Sequence, residues 1–257
     1  MIIKPILSIN TQPISNLTGG LRLKGFFKAS TDDEPLISII TVVFNGERNI
    51  ARCIDSVLFQ TYSNFEHIIV DGGSTDDTLS IIESYGDKIA FWISEPDEGI
   101  YNAFNKAIKL ARGTHYIPLG CDDILLPNAI STLVAYVNSC MVISALVRVM
   151  DQNGKFKGVT NNHSAGTLID VDAHNKFGFY DEIYQISADI KFLELAKRSS
   201  SVLKIEEVVG VFELGGASSN YRQTIIEHAR AMFEAGSWGR VRKFLWLAPR
   251  TILSIFR

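Results

Sequence analysis

The chain has 257 residues, a formal net charge of −3, and 46% hydrophobic against 21% charged residues. That composition excludes a disordered chain and fits one large α/β domain with small additions. The slight negative charge excludes a bulk electrostatic hold on nucleic acid, and three cysteines without a CxxC pair argue against a disulfide framework or thiolate zinc site and for a reducing compartment.

Residues 1–34 read as an N-terminal arm. Its apolar start is too short and too polar for a signal-peptide core, and Gly19-Gly20 and Ser30 to Asp33 mark turns. Leu36 to Phe44 is a short apolar, β-branched run that ends at Asn45-Gly46, which predicts a buried strand. Ile50, Cys53, Ile54, Val57 and Leu58 then recur at helical spacing within Asn49 to Gln60. Phe65 to Val70 predicts a second strand stopping at Asp71-Gly72-Gly73. A helix follows through Tyr85, with Thr75 or Asp76 as its cap. Ala90 to Ser94 is a third strand, Tyr101 to Ala111 a helix, and His115 to Leu119 a fourth strand ending at Gly120-Cys121-Asp122-Asp123. Pro127 begins a further helix, where its missing N–H costs nothing. The uncharged window from Ala129 to Val147 is long enough for a membrane span. Asn138-Ser139 divides it into a helical half and a β-branched half, so a helix, a turn and a strand are expected instead.

Strands alternating with helices predict parallel βαβ units, whose ligands sit beyond the carboxyl ends of the strands. Every one of these strands ends in polar residues or glycine, so the ends should line one crevice. Asp122-Asp123 either caps the helix at Pro127 or supplies hard oxygen ligands to Mg²⁺ or Mn²⁺. Asp71 either closes a βα turn or accepts hydrogen bonds from a base or ribose. The chain has no GxxxxGK[ST], which excludes a P-loop, and no GxGxxG, which disfavours a dinucleotide fold. Asp189, before Ile190 to Ala196, reads by spacing as a helix N-cap. His163 reads as a loop histidine, His228 receives no role, and aromatic residues at helical spacing are assigned to the core.

Five stretches in order resemble the family-2 glycosyltransferases, especially bacterial enzymes of O-antigen, capsule and exopolysaccharide assembly. They are LISIITVVFN (36–45), IVDGGSTDDT (69–78), SEPDEGIYNAFNK (94–106), GTHYIPLGCDDIL (113–125) and ISADIKFL (186–193). The resemblance implies an α/β GT-A fold, a Rossmann-like mixed sheet flanked by helices, as found in nucleotide-diphospho-sugar transferases. The catalytic domain would span 35–235, with a nucleotide-sugar half over 35–125 and an acceptor half over 126–220. It further implies a hexosyltransferase with a nucleotide-sugar donor, most often a UDP-sugar, a Mn²⁺ or Mg²⁺ ion, and inversion at the anomeric carbon. Carried over by residue, Thr41, Val43, Asn45 and Glu47 would line the base and ribose pocket, and Asp71 would contact the uracil. Asn102 and Lys106 fall in the donor-side segment, and Asn102 stands where many relatives have Asp. Asp122 and Asp123 stand at the metal motif, with Cys121 in place of the usual small polar residue, which leaves Asp123 as the main ligand. Asp189 stands at the catalytic base, and His163 near the acceptor. Phe212 to Ser219 matches a segment that either closes over the diphosphate or forms a turn.

The tail 236–257 holds five basic residues and no acid, so the preceding residues carry −8. Its Arg and Lys are interleaved with Trp238, Phe244, Trp246 and Phe256, a pattern suited to a lipid headgroup boundary, although Pro249 interrupts any single helix. A basic helix packed on the body is the competing expectation. With the resemblance, the tail implies a cytoplasmic protein peripheral to the inner membrane, acting on a glycan or a polyprenyl-diphosphate-linked sugar. Two other functions share these features: a nucleotidyltransferase making a nucleotide-sugar, and a non-catalytic nucleotide-sugar-binding assembly protein. The first should carry a Gly-rich basic loop after the first strand, and Phe44-Asn45-Gly46-Glu47-Arg48 matches that poorly.

Overall fold

The computed structural model describes residues 17–31, 33–161, 163–216, 221–237 and 239. In chain order the elements are β1 (Leu17–Gly19), β2 (Ile37–Val43), α1 (Ile50–Leu58), β3 (Phe65–Asp71), α2 (Thr78–Ser84), β4 (Phe91–Ser94), α3 (Ile100–Leu110), β5 (His115–Gly120), β6 (Ile124–Leu125), α4 (Ala129–Val134), β7 (Val142–Met150), β8 (Phe156–Thr160), β9 (Thr167–Asp170), α5 (Ala173–Phe177), α6 (Ala188–Arg198), β10 (Val202–Glu213) and α7 (Tyr221–Glu234). The strands form one mixed sheet in the order β1-β4-β3-β2-β5-β9-β7-β10-β6, with β8 paired to β7.

β4, β3, β2 and β5 are parallel neighbours, so their carboxyl ends lie along one edge. β2 is buried at every residue because helices cover both faces. Alternate side chains therefore enter different cores. Ile40 and Val42 pack with Tyr101, Phe104 and Ala107 of α3, and with Phe192 of α6. Ile37 and Ile39 pack with Cys53 and Val57 of α1, and with Ile130 and Leu133 of α4. The apolar stripe of α1 buries Ile50, Cys53, Ile54 and Val57, one face of a 3.6-residue period. Beyond β5 the sheet changes sense. β9 is antiparallel to both β5 and β7, while β10 runs parallel to β7.

Several local expectations differ from the structure. The segment read as an arm contributes β1, which pairs antiparallel with β4 at the sheet edge. α2 begins at Thr78, and neither Thr75 nor Asp76 is its N-cap. Asp77 occupies that position without a side-chain bond, while Asp76 Oδ1 accepts the Thr78 N–H at 3.0 Å. The helix expected from Pro127 starts at Ala129, behind Asn128. The window 129–147 is a helix, a turn and a strand. No described helix is long and apolar enough to cross a membrane. The tail expected at the C-terminus lies outside the described residues, apart from 236, 237 and 239.

A buried ion pair fastens the turn after β1. Arg22 Nη2 lies 2.6 Å from Glu66 Oε2, and Arg22 Nη1 donates to the Leu110 carbonyl at 2.7 Å. Glu66 also accepts the Ser38 hydroxyl and the Arg112 N–H. Arg22→Ala would leave that carboxylate buried and short of its cation. The expected cost is about 3–5 kcal/mol in a urea unfolding curve, whereas a wild-type midpoint would show the pair to be idle.

Candidate active site

The turns that leave β2 and β3 are braced to each other by their own polar groups. Asn45 is left-handed at φ 50°, and its Oδ1 accepts the Thr75 N–H at 2.9 Å. The Asn45 N–H donates to the Ser74 hydroxyl and the Gly46 N–H to the Thr78 hydroxyl, at 2.7 and 2.8 Å. Glu47 Oε2 accepts the Asp77 N–H, and the Glu47 N–H donates to Asp76 Oδ2, both at 3.1 Å. Asn45 and Glu47 are exposed, so these bonds set a rigid, polar rim at the strand edge.

Thr41 and Val43 do not form part of that rim. Thr41 is wholly buried, its hydroxyl 2.9 Å from His67 Nε2, and Val43 is 5% exposed. Strand alternation turns both toward the α1 side, beneath the loop rather than onto its surface. Asp71 is likewise enclosed. Its oxygens accept the hydroxyls of Ser74 and Ser94 and the Ser74 N–H, which ties the ends of β3 and β4 together. Asn102 and Lys106 face another direction. Asn102 donates to Glu182 at 2.9 Å and Lys106 pairs with Glu95, and both line a cleft of about 240 Å³. Their polar partners are Glu182 and Glu95, not the Asp122-Asp123 loop.

Asp122 and Asp123 stand where β5 ends, with the Asp123 N–H closing a turn on the Gly120 carbonyl at 3.0 Å. Asp123 is 2% exposed, and its Oδ1 has no hydrogen-bond partner among the described residues. Burial pushes the Asp123 carboxyl well above the usual range, with the neighbouring Asp122 adding to it, and burial raises Asp122 too. Arg52 of α1 lies close by, donating to the Asp122 carbonyl and pairing with Glu213 at 2.5 Å. A cleft of about 270 Å³ opens there, with Arg52, Asp122, Gln152 and Glu213 on its walls. A side chain at Gly216 would meet the Asp122 carboxylate, which would then have to shift.

A divalent cation fits this arrangement. An orphaned buried oxygen beside a second carboxylate is costly without a positive partner. No three His, Cys, Asp or Glu side chains among the described residues are arranged to hold a metal. Two carboxylates that leave the remaining positions to phosphate oxygens and water suit Mg²⁺ or Mn²⁺ better than zinc. His163, expected as a loop residue near the acceptor, lies beside this pair, Nδ1 3.8 Å from Asp123 Oδ2. Its ring stacks on Phe212 at 4.0 Å, and Nδ1 accepts the Ala165 N–H at 3.3 Å. Burial lowers its pKa to about 4, so the ring is neutral at pH 7. Of the solvated or hydrogen-bonded surface group that its loop position suggests, the ring is hydrogen-bonded and largely covered.

Asp189 lies in the first turn of α6, and the N-cap position belongs to Ser187. Asp189 Oδ1 accepts the Tyr101 hydroxyl at 2.8 Å and the Ile190 N–H at 2.9 Å. Tyr101 lies in the first turn of α3, which follows the carboxyl end of β4, so Asp189 sits at the same sheet edge as Asp123. Burial raises the Asp189 pKa, opposed by the Tyr101 hydrogen bond and by the charge of His228. Sequence reading missed Tyr101, which has the spacing of a core residue and is 5% exposed. Its hydroxyl reaches a residue 88 positions away, a contact that no local pattern announces.

A parallel half, a mixed half beyond it, and an acid pair where β5 ends are features of the GT-A class of α/β folds. The signature of glycosyl transferase family 2 matches residues 38–193, and the chain belongs to that family of glycosyltransferases. Its fold is similar to that of S. aureus TarS in complex with UDP, with a TM-score of 0.61 at 18% identity over 77% of this chain and 64% of that one. It is also similar to the mannosyltransferase PcManGT from Pyrobaculum calidifontis in complex with GDP-Man and Mn²⁺, with a TM-score of 0.61 at 16% identity over 84% and 68%. By sequence it is 38% identical over 128 residues to an uncharacterized glycosyltransferase of Rickettsia bellii, covering 48% of this chain and 18% of that protein. It is 42% identical over 99 residues to a chondroitin synthase of Escherichia coli, covering 37% and 14%. The matches thus span less than a fifth of the length of these two relatives.

Proposed function

We propose that the chain is an inverting, metal-dependent glycosyltransferase that moves a sugar from a nucleotide-sugar, a UDP-sugar first among them, to a glycan hydroxyl. The observation that carries this reading is the pairing of two acidic centres on one sheet edge: Asp123, with an oxygen that lacks a partner among the described residues, and Asp189, anchored through Oδ1 by Tyr101. A single displacement needs both, one for the leaving diphosphate and one for the attacking hydroxyl. UDP in the TarS complex and GDP-Man with Mn²⁺ in the PcManGT complex support the same reading.

In this account Asp123 and Asp122 hold Mn²⁺ or Mg²⁺. The bound ion supplies charge neutralisation for the leaving diphosphate. Asn45 and Glu47 meet the base and ribose from the braced rim, with Thr41 and Val43 packed beneath and Asp71 fixing the floor. Asn102 and Lys106 steady the donor side through Glu182 and Glu95. Asp189 takes the proton of the acceptor hydroxyl on the oxygen that Tyr101 does not hold, so the nucleophile forms as it attacks the anomeric carbon. His163, neutral and stacked on Phe212, contributes a hydrogen bond on the acceptor side. The test is isothermal titration of a UDP-sugar panel with and without Mn²⁺. Metal-dependent binding of at least one member is expected, and pyrophosphate release from UTP plus a sugar phosphate would replace this reading with a nucleotidyltransferase.

The acceptor in this reading is a polyprenyl-diphosphate-linked sugar of O-antigen type at the inner face of the cytoplasmic membrane. The five basic residues and interleaved aromatics of 236–257 support it. Deleting 238–257 is expected to move the protein from the membrane to the soluble fraction on sedimentation. An unchanged distribution would contradict the lipid role of the tail.

A further inference from the structure

Helix α7 reaches back to the segment that carries Asp189. The Glu227 carboxylate accepts the N–H groups of Gln185 and Ile186, the latter at 2.8 Å. His228 Nδ1 lies 3.0 Å from the Thr224 carbonyl, so that nitrogen carries a proton, and 2.8 Å from the Ser187 hydroxyl, which accepts from it. Ser187 is wholly buried and stands two residues before Asp189. From the opposite side, the Tyr101 hydroxyl lies 2.6 Å from the Ile186 carbonyl and 2.8 Å from Asp189 Oδ1. Residues 185–189 are therefore clamped between α3 and α7. One turn further along, Lys191 reaches Glu234, which Arg230 also holds, and this fixes α7 against α6.

We propose that α7 is a working part of the catalytic site and that His228, acting through Ser187, is a positioning residue for Asp189. The proposal rests on the reading of Asp189 as the base. A loop that must present one carboxylate oxygen to a hydroxyl gains from bonds on both sides, because a shift of about 1 Å can cost about a hundredfold in rate. The groups that face Asp189 are Tyr101 from α3, Tyr116 from β5, Tyr180 from the loop before α6, and His228 from α7. Burial lifts all three tyrosines above their usual range, so they stay neutral near pH 7. His228 acts on Asp189 in the direction that favours the ionised carboxylate. Glu227, the acid next to it, is turned to the N–H groups of 185 and 186.

The experiment compares kcat, donor KM and the pH profile of kcat for the full chain, using the UDP-sugar that turns over. The variants are His228→Ala, His228→Gln, Asp189→Asn and the double variant Asp189→Asn/His228→Ala. His228→Ala is expected to lower kcat about ten- to hundredfold with donor KM within about twofold. Its acid limb should move to higher pH, because His228 is among the groups that hold the Asp189 pKa down. His228→Gln should recover much of kcat by restoring a donor to Ser187, but not the position of the limb. The double variant should be no slower than Asp189→Asn, since a residue that acts only through the base has nothing left to act on. Independent losses in the double variant, or an unchanged kcat and acid limb in folded His228→Ala and His228→Gln, would overturn the proposal. A fully active Asp189→Asn would instead remove the base assignment on which it stands, and the two failures are thereby distinguished.

Discussion

Asp189→Asn is expected to lower kcat about 10²- to 10⁴-fold while leaving donor affinity unchanged, the range for a positioned general base. Asn keeps the shape of the side chain and can still bond to Tyr101 and the Ile190 N–H. The fold and the donor side should therefore survive. What is lost is the ability to take a proton from the incoming hydroxyl. The pH dependence follows from the raised pKa of this half-buried carboxyl. The base works only when ionised, so wild-type kcat should fall as pH drops through that pKa, above the range of an ordinary aspartate near 4. The Asn variant should lack this acid limb. A fully active Asn variant would place the proton transfer elsewhere.

Asp123→Ala should abolish metal-dependent donor binding in calorimetry. The carboxylate is 2% exposed with one oxygen unpartnered among the described residues, an electrostatic cost that a cation would relieve. In thermal unfolding, Mn²⁺ at a hundred times its Kd should stabilise wild type by about 2.7 kcal/mol and leave the variant unmoved. The two readouts separate a metal ligand from a merely structural acid. Unchanged donor affinity in the variant, with an intact response to Mn²⁺, would refute the assignment.

The parallel half was legible because β2 is buried on both faces and reads as one unbroken apolar run, and because each strand stops abruptly at polar residues or glycine. The direction of individual side chains was less legible. Thr41 lies in the matching motif, yet strand alternation turns its hydroxyl to His67. Asp76 and Asp189 both look like N-caps by spacing, and each instead makes a bond from a neighbouring position. The bracing of the site was not legible at all. Tyr101 to Asp189 and Ser187 to His228 join residues 88 and 41 positions apart, and both aromatic rings have unremarkable local surroundings. His163 is the intermediate case. The resemblance suggested a place near the acceptor; the structure puts the ring beside Asp123, and its stack on Phe212 depends on how β10 returns beside β7.

The central claim is that two acids at one sheet edge transfer a sugar from a nucleotide-sugar. The most direct measurement is UDP release from a UDP-sugar panel with an undecaprenyl-type acceptor analogue, followed by mass analysis of the product. The account predicts release that requires acceptor and Mn²⁺ or Mg²⁺, a product heavier by one sugar residue, and loss of both in Asp123→Ala and Asp189→Asn. Binding of nucleotide-sugars without transfer across the panel, or transfer that persists in both variants, would contradict it.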